Sequence, residues 1–154
     1  MPQIYIVASE AGATPRRLTF SEGDNVLPVW SPDGKFIYFS SNRKGDFQVW
    51  RIASSGGAEE QVTRVFAFAP QLSLDGRYLY YMATRSDRST IRRLDLASGQ
   101  EETVVEGALD RSFFATSAGV FYIEGVGPNL EAIRFWNAAT TVDSAVAHVK
   151  RRHA

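Results

Sequence analysis

The feature that most constrains this chain is a repeat of 42 residues. Pro28 recurs as Pro70, Ser31 as Ser73, and the pair Asp33-Gly34 as Asp75-Gly76. The register then runs without gaps: Ile37-Tyr38-Phe39 falls on Leu79-Tyr80-Tyr81, and Val49 and Ile52 fall on Ile91 and Leu94. A further step of 42 places Tyr80 on Tyr122, Leu79 on Phe121, Ile91 on Ile133 and Leu94 on Trp136. The third copy keeps only Ser117-Ala118-Gly119 where the others have the Asp-Gly turn. Before the first copy, Gln3 to Val7 matches Gln48 to Ile52 at an offset of 45, so the chain opens partway through a repeat. Self-similarity at this spacing means that each copy is one supersecondary unit whose apolar faces are buried by its neighbours.

Within a copy the period is two. Phe36, Tyr38 and Ser40 point one way and Ile37, Phe39 and Ser41 the other, which is a β-strand. Pro32, Asp33 and Gly34 form the turn before it: Pro32 presets φ, Gly34 accepts a positive φ, and Asp33 hydrogen-bonds nearby amides. Asp75 and Gly76 do the same in the second copy. Neither Asp lies in a group of carboxylates, so calcium ligation is not expected there.

Each copy supplies four short strands. They are predicted near 26–30, 35–41, 47–53 and 59–63, then 68–72, 77–83, 89–96 and 101–105, then 112–116, 119–124, 131–137 and 141–149. Strands at 4–7 and 14–19 form the opening half. Four antiparallel strands per 42 residues is the requirement of a β-propeller blade. The expected fold is therefore all-β, with about three and a half blades in an incomplete or open propeller: a half blade over 1–20 and blades over 26–63, 68–105 and 111–149.

The segment Trp30-Ser31-Pro32-Asp33-Gly34-Lys35, followed by Ile37-Tyr38-Phe39, Ser41-Asn42-Arg43, Gly45, Val49-Trp50-Arg51-Ile52, Gly56-Gly57 and Val62-Thr63, resembles a TolB-type propeller repeat. That repeat occurs in the periplasmic TolB protein and in propellers attached to prolyl-oligopeptidase-type and tricorn-type proteases. It also occurs in winged-helix regulators and some receptor kinases. The resemblance implies a propeller and an extracytoplasmic or sensory setting. It does not choose among these hosts. Family members usually close with six or more blades, so this chain is expected to belong to a longer product, to pair with a second copy in a homodimer that closes the open ends, or to form an open and marginally stable stack of sheets. Without a neighbour, an end blade would expose an apolar face larger than a soluble monomer normally shows.

Composition narrows the function. The 17 basic and 17 acidic residues cancel, which leaves no general field for nucleic acid or an anionic membrane. There is no cysteine, hence no thiolate chemistry. No apolar run reaches the length of a membrane span, and no signal peptide is visible at Met1-Pro2. The only histidines, His148 and His153, stand at the far end, and no Gly-x-Ser-x-Gly elbow is present. No enzyme activity, cofactor or metal is expected.

Trp30, Phe36, Tyr38, Phe39, Phe47 and Trp50 read as packing between blades rather than as a ligand platform. Asn42-Arg43-Lys44-Gly45 and Thr84-Arg85-Ser86-Asp87-Arg88 fall at the same place in successive copies. Arg43, Lys44, Arg85 and Arg88 are therefore the candidate binding residues, suited to a carboxylate or an acidic peptide segment. The basic end Lys150-Arg151-Arg152-His153 reads as a solvated terminus. The expected function is a non-enzymatic protein- or peptide-binding module, with neither direct nucleic-acid contact nor membrane insertion, forming the sensory or scaffolding part of a larger bacterial protein. The alternative is an accessory propeller that gates substrate for a hydrolase.

Overall fold

In a computed structural model of the chain, the described residues are 1–84, 86 and 88–150. They fold as strands and turns alone, in two compact units, Met1–Pro70 and Gln71–Ala154.

The first unit contains a two-stranded sheet, β1 (Tyr5–Ile6) with β2 (Arg16–Arg17), and a four-stranded antiparallel sheet in chain order. The latter comprises β3 (Asn25–Trp30), β4 (Phe36–Lys44), β5 (Asp46–Ala53) and β6 (Glu59–Gln61). The turn joining β3 to β4 is closed by Ser31 N–H donating to the Phe36 carbonyl at 2.8 Å. Asp33 Oδ1 accepts from Ser31 Oγ at 2.7 Å and from Lys35 N at 3.1 Å, while Gly34 takes φ 71°. These bonds hold the Asp33 carboxyl below its ordinary pKa, the Ser31 hydroxyl contributing most. The second copy repeats the geometry, with Ser73 Oγ on Asp75 at 2.6 Å and Gly76 at φ 70°.

The opening strands are the outer half of a blade. Tyr5↔Arg17 and Ile6↔Arg16 reproduce the pairs Trp50↔Gln61 and Arg51↔Glu60. In both sheets a threonine hydroxyl caps the strand: Thr19 Oγ1 accepts from Ile4 N and Thr63 Oγ1 from Val49 N, each at 2.9 Å. The Ile4 side of this half blade and Leu18 pack on the Ile37, Phe39, Trp50 and Ile52 side of the next sheet, forming one buried cluster. Full burial of an aliphatic or aromatic side chain contributes about 1.5–3 kcal/mol, so this cluster is the chief stabilising term of the unit.

The second and third copies form one antiparallel sheet of seven strands in chain order. These are β7 (Phe68–Leu72), which straddles the boundary between the units, β8 (Tyr78–Met82), β9 (Arg88–Asp95), β10 (Glu101–Ala115), β11 (Gly119–Gly127), β12 (Leu130–Asn137) and β13 (Asp143–Lys150). The separate strands expected at 101–105 and 112–116 are a single strand. β10 pairs with β9 through Glu101 to Leu109 and with β11 through Ala108 to Ala115, and its register shifts at bulges in between. Tyr80, Met82, Ile91, Val105, Ala108, Phe113, Val120, Tyr122, Ala132 and Trp136 are all buried and, by this register, share one side of the sheet.

Two other sequence expectations are corrected, and one feature is new. The loop predicted at Asn42–Lys44 is the end of β4, with a tight turn at Gly45 (φ 100°) and Lys44 opposite Asp46. The repeat also slips by one residue after β11: Tyr38↔Arg51 and Tyr80↔Arg93 become Tyr122↔Arg134. Ile91 is therefore matched by Ala132 and Leu94 by Phe135, because the β11–β12 hairpin is one residue shorter. Finally, Leu27, Ala69 and Arg111 are non-glycine residues at φ 53°, 52° and 53°, spaced by 42. This kink in the first strand of each blade is sterically unfavourable for side chains. Its freed N–H is used: Ala69 N donates to Ser40 Oγ at 3.2 Å and Arg111 N to Met82 Sδ at 3.0 Å, acceptors that are themselves 42 apart.

Candidate binding surfaces

The four candidate cations divide. Arg43, expected between strands as a candidate binding residue, faces inward from β4 with its side chain 11% exposed. It pairs with Glu59, itself 13% exposed, and donates to Asn25 Oδ1 at 2.7 Å and Ser41 Oγ at 2.9 Å. Its guanidinium lies 4.1 Å from the Trp50 ring centroid. All three guanidinium nitrogens are engaged, so Arg43 acts as a brace and offers no free donor group to a ligand. The reason is the extra length of β4, which alternates its side chains past Ser41 and turns Arg43 toward Asn25 and Glu59. Lys44 is exposed, bonds Gln61 Oε1 at 2.7 Å and lies 5.3 Å from Trp50. Arg88 is exposed and donates to the Gly125 carbonyl at 3.3 Å. Arg85 lies outside the described residues, as do Asp87, Arg151, Arg152 and His153.

Asn25 extends the brace toward the half blade. Its amide donates to Gln3 Oε1 at 3.0 Å, which also accepts from the Thr19 hydroxyl at 2.7 Å. The aromatic residues behave as packing residues except at one position: Tyr38, Phe39 and Trp50 are buried, Phe36 and Phe47 are half-buried, and Trp30 is 49% exposed.

A second set of residues emerges only from the strand pairing. Each blade carries a tyrosine, an arginine and an acid on three adjacent strands: Tyr38, Arg51 and Glu60; Tyr80, Arg93 and Glu102; Tyr122, Arg134 and Asp143. Arg51 Nε bonds Glu60 at 2.8 Å, Arg93 Nε bonds Glu102 at 2.8 Å, and Arg134 Nε bonds Asp143 at 3.0 Å. Tyr122 donates to the same Asp143 oxygen at 2.6 Å. Burial pushes the Tyr80 and Tyr122 hydroxyls up in pKa, and for Tyr122 the Asp143 carboxylate adds to it. The signal was present, since Arg51/Arg93 and Glu60/Glu102 are both 42 apart. The one-residue slip hid the third set.

The opposite side of β10–β12 is apolar and open. Phe114 pairs with Phe121 and Phe121 with Phe135, whose rings are 4.6 Å apart. Phe114 is 65% and Phe121 38% exposed. Together with Ile123, Ile133, Arg111 and Ser112 they border a shallow cleft of about 310 Å³. A polar cleft of about 490 Å³ lies beside Arg77, Tyr78, Arg93, Asp95 and Glu102, but its charged groups pair with one another, Arg77 with Asp95 and Arg93 with Glu102. Among the described residues no group of His, Asp and Glu is placed to hold a metal ion, and no helix is long and apolar enough to cross a membrane.

Known proteins agree with this architecture. A curated relative, the Tol-Pal system protein TolB of Bordetella pertussis, is 40% identical over 57 residues, which are 37% of this chain and 13% of that protein. The crystal structure of TolB from Acinetobacter baumannii superposes with a TM-score of 0.72 at 22% identity, over 90% of this chain and 39% of the other. A puromycin-hydrolyzing peptidase of Mycobacterium tuberculosis superposes with a TM-score of 0.75 at 16% identity, over 93% of this chain and 24% of the other. The chain thus spans 20% or less of the curated relatives it matches. Residues 1–127 match the family model of the TolB beta propeller domain, and with blades of this topology the chain belongs to that family.

Proposed function

We propose that the chain is a non-enzymatic binding module, the sensory or scaffolding propeller part of a larger bacterial protein, and that it holds a protein or peptide. The observation that carries this reading is the open aromatic side of β10–β12, where Phe114, Phe121, Ile123, Ile133 and Phe135 stand on paired strands with Arg111 at their margin, held only by an exposed pair with Asp110 that a ligand carboxylate can share. Apolar anchors on a rigid sheet with a cation at the rim suit a peptide with apolar residues and a carboxylate. Kinship to a Tol-Pal system protein supports a protein partner and an extracytoplasmic setting. Two copies meeting over this side, in a homodimer that closes the open ends, would cover the same residues.

The second reading is an accessory propeller that gates substrate for a hydrolase, favoured by the likeness to the puromycin-hydrolyzing peptidase. In that case the catalytic groups lie outside these residues, and the purified chain turns over neither chromogenic esters nor peptides. The binding reading is tested by panning a displayed random-peptide library against the immobilised chain. Enrichment of apolar, acid-containing sequences that is lost in Phe121→Asp supports it. No enrichment, or enrichment indifferent to Phe121→Asp, overturns it.

A further inference from the structure

We propose that two copies of this chain join edge to edge through β13, each strand extending the other's sheet in antiparallel register. This surface is distinct from the open aromatic side and does not depend on the peptide-binding reading. Among the described residues β13 is the last strand of its sheet, and all eight of its residues are exposed. An unpaired edge is a template for another strand, and natural sheets normally blunt it by shortening, charge, proline or cover. The first complete blade does so: its outer strand β6 is three residues long and carries Glu59 and Glu60. β13 has neither proline nor charge along its middle, where Ala145, Val146 and Ala147 run together and Val149 follows; its one irregularity is a bulge at Val146, which brings Asp143 and Ala145 onto the same side as His148 and Lys150.

The strand is also complementary to itself. Turned about a two-fold axis between Val146 and Ala147, Asp143 comes opposite Lys150, Ser144 opposite Val149 and Ala145 opposite His148. The pairing with β12 shows that these partners belong to matching sides. Asp143, Ala145, His148 and Lys150 lie opposite Trp136, Arg134, Ala132 and Leu130, while Ser144 and Val149 lie opposite Phe135 and Glu131. A slip of one residue in either direction would set residues of opposite sides against each other, so the register is specified. Opposite charges facing each other across paired strands are favourable, and this register supplies two such pairs. The bonds that Asp143 accepts from Tyr122 and Arg134 both end on Oδ2, so Oδ1 is free of them to accept from Lys150 of the second copy. Eight residues give a shared edge of roughly 27 Å, at about 3.4 Å per residue. Continuing the sheet across the axis would also extend the open apolar side of β10–β12, doubling the floor beneath any bound peptide.

The test is light scattering of the 154-residue chain at tens of micromolar, together with cysteine cross-linking. The chain has no cysteine of its own. Ala145→Cys combined with His148→Cys should form an intermolecular disulfide on mild oxidation, because the two positions face each other between copies. Either substitution alone should not. Val146→Lys should raise the dimer dissociation constant at least tenfold, while Phe121→Asp should leave it unchanged. A monomeric wild type, a double-cysteine variant that cross-links no faster than the single ones, or a dimer abolished by Phe121→Asp and not by Val146→Lys would overturn the proposal. The cross-linking comparison decides the matter if Val146→Lys fails to fold.

Discussion

Replacing Arg43 by Met separates a brace from a ligand contact. In the folded chain the guanidinium is nearly covered, pairs with Glu59, bonds Asn25 and Ser41, and lies on the Trp50 ring. Methionine keeps most of the stem packing but leaves the Glu59 carboxylate, 13% exposed, without its cation. Breaking a buried pair from one side costs about 3–5 kcal/mol, and the remaining access of both groups to solvent brings the expectation down to about 3 kcal/mol. For a domain of this size that is a fall in melting temperature of roughly 6–12 °C. Urea unfolding followed by tryptophan emission measures it, with Glu59→Gln and the double variant completing a thermodynamic cycle. The coupling between the two positions should be about 1.5 kcal/mol or more, since the double variant no longer holds an unpaired charge. A loss below about 0.5 kcal/mol, the ordinary size of an exposed pair, or a coupling near zero would refute the buried placement of Arg43 and return it to the candidate binding residues.

Other expectations follow from the same geometry. Gly119→Ala should be severely destabilising, by about 3 kcal/mol, because an added methyl would lie 1.9 Å from the Trp136 carbonyl oxygen and backbone cannot yield as a side chain can; chemical denaturation reads the loss. Gly34→Ala meets no atom within 4 Å but must hold φ 71°, so it should cost only about 1 kcal/mol by the same assay. Ala69→Gly should be neutral or stabilising, against the usual loss of about 0.5–1 kcal/mol for glycine in a strand, because it relieves the φ of 52°; an ordinary loss would mean that the kink is absent. Alkaline titration should lower stability once pH rises above the unfolded tyrosine value of about 10, since Tyr80, Tyr81 and Tyr122 keep their protons to higher pH when folded. Asp33 and Asp75, held below their ordinary values, contribute stability above about pH 4 that is lost as the pH falls further.

The blades were legible because the signals that specify them are local and repeated. The Ser-x-Asp-Gly turns at 31–34 and 73–76 and the alternation of Ile37, Tyr38 and Phe39 fix strand, turn and side with no reference to distant residues. The charged site was not legible for the opposite reason. Whether Arg43 meets solvent or Glu59 depends on how far β4 runs, and that is set by a cross-strand pair, Lys44 with Asp46, that no periodicity announces. The one-residue slip at Tyr122 and Arg134 was hidden because Ile133 and Trp136 are apolar residues that satisfy the uninterrupted 42-residue spacing by type. The fusion of strands into β10 was obscured by Glu106-Gly107, which reads as loop and is in fact a bulge with Gly107 at φ 85°. The kinks at Leu27, Ala69 and Arg111 leave no mark at all in residue type.

Cross-strand proton contacts measured by NMR on the isotopically labelled chain test the repeat of equivalent sheets most directly. Contacts linking the Tyr38–Arg51, Tyr80–Arg93 and Tyr122–Arg134 pairs, together with positive-φ couplings at Leu27, Ala69 and Arg111, are the predicted result. Sequential amide contacts typical of helix in 36–44 or 119–127, or Tyr122 paired with Phe135 in place of Arg134, would contradict it.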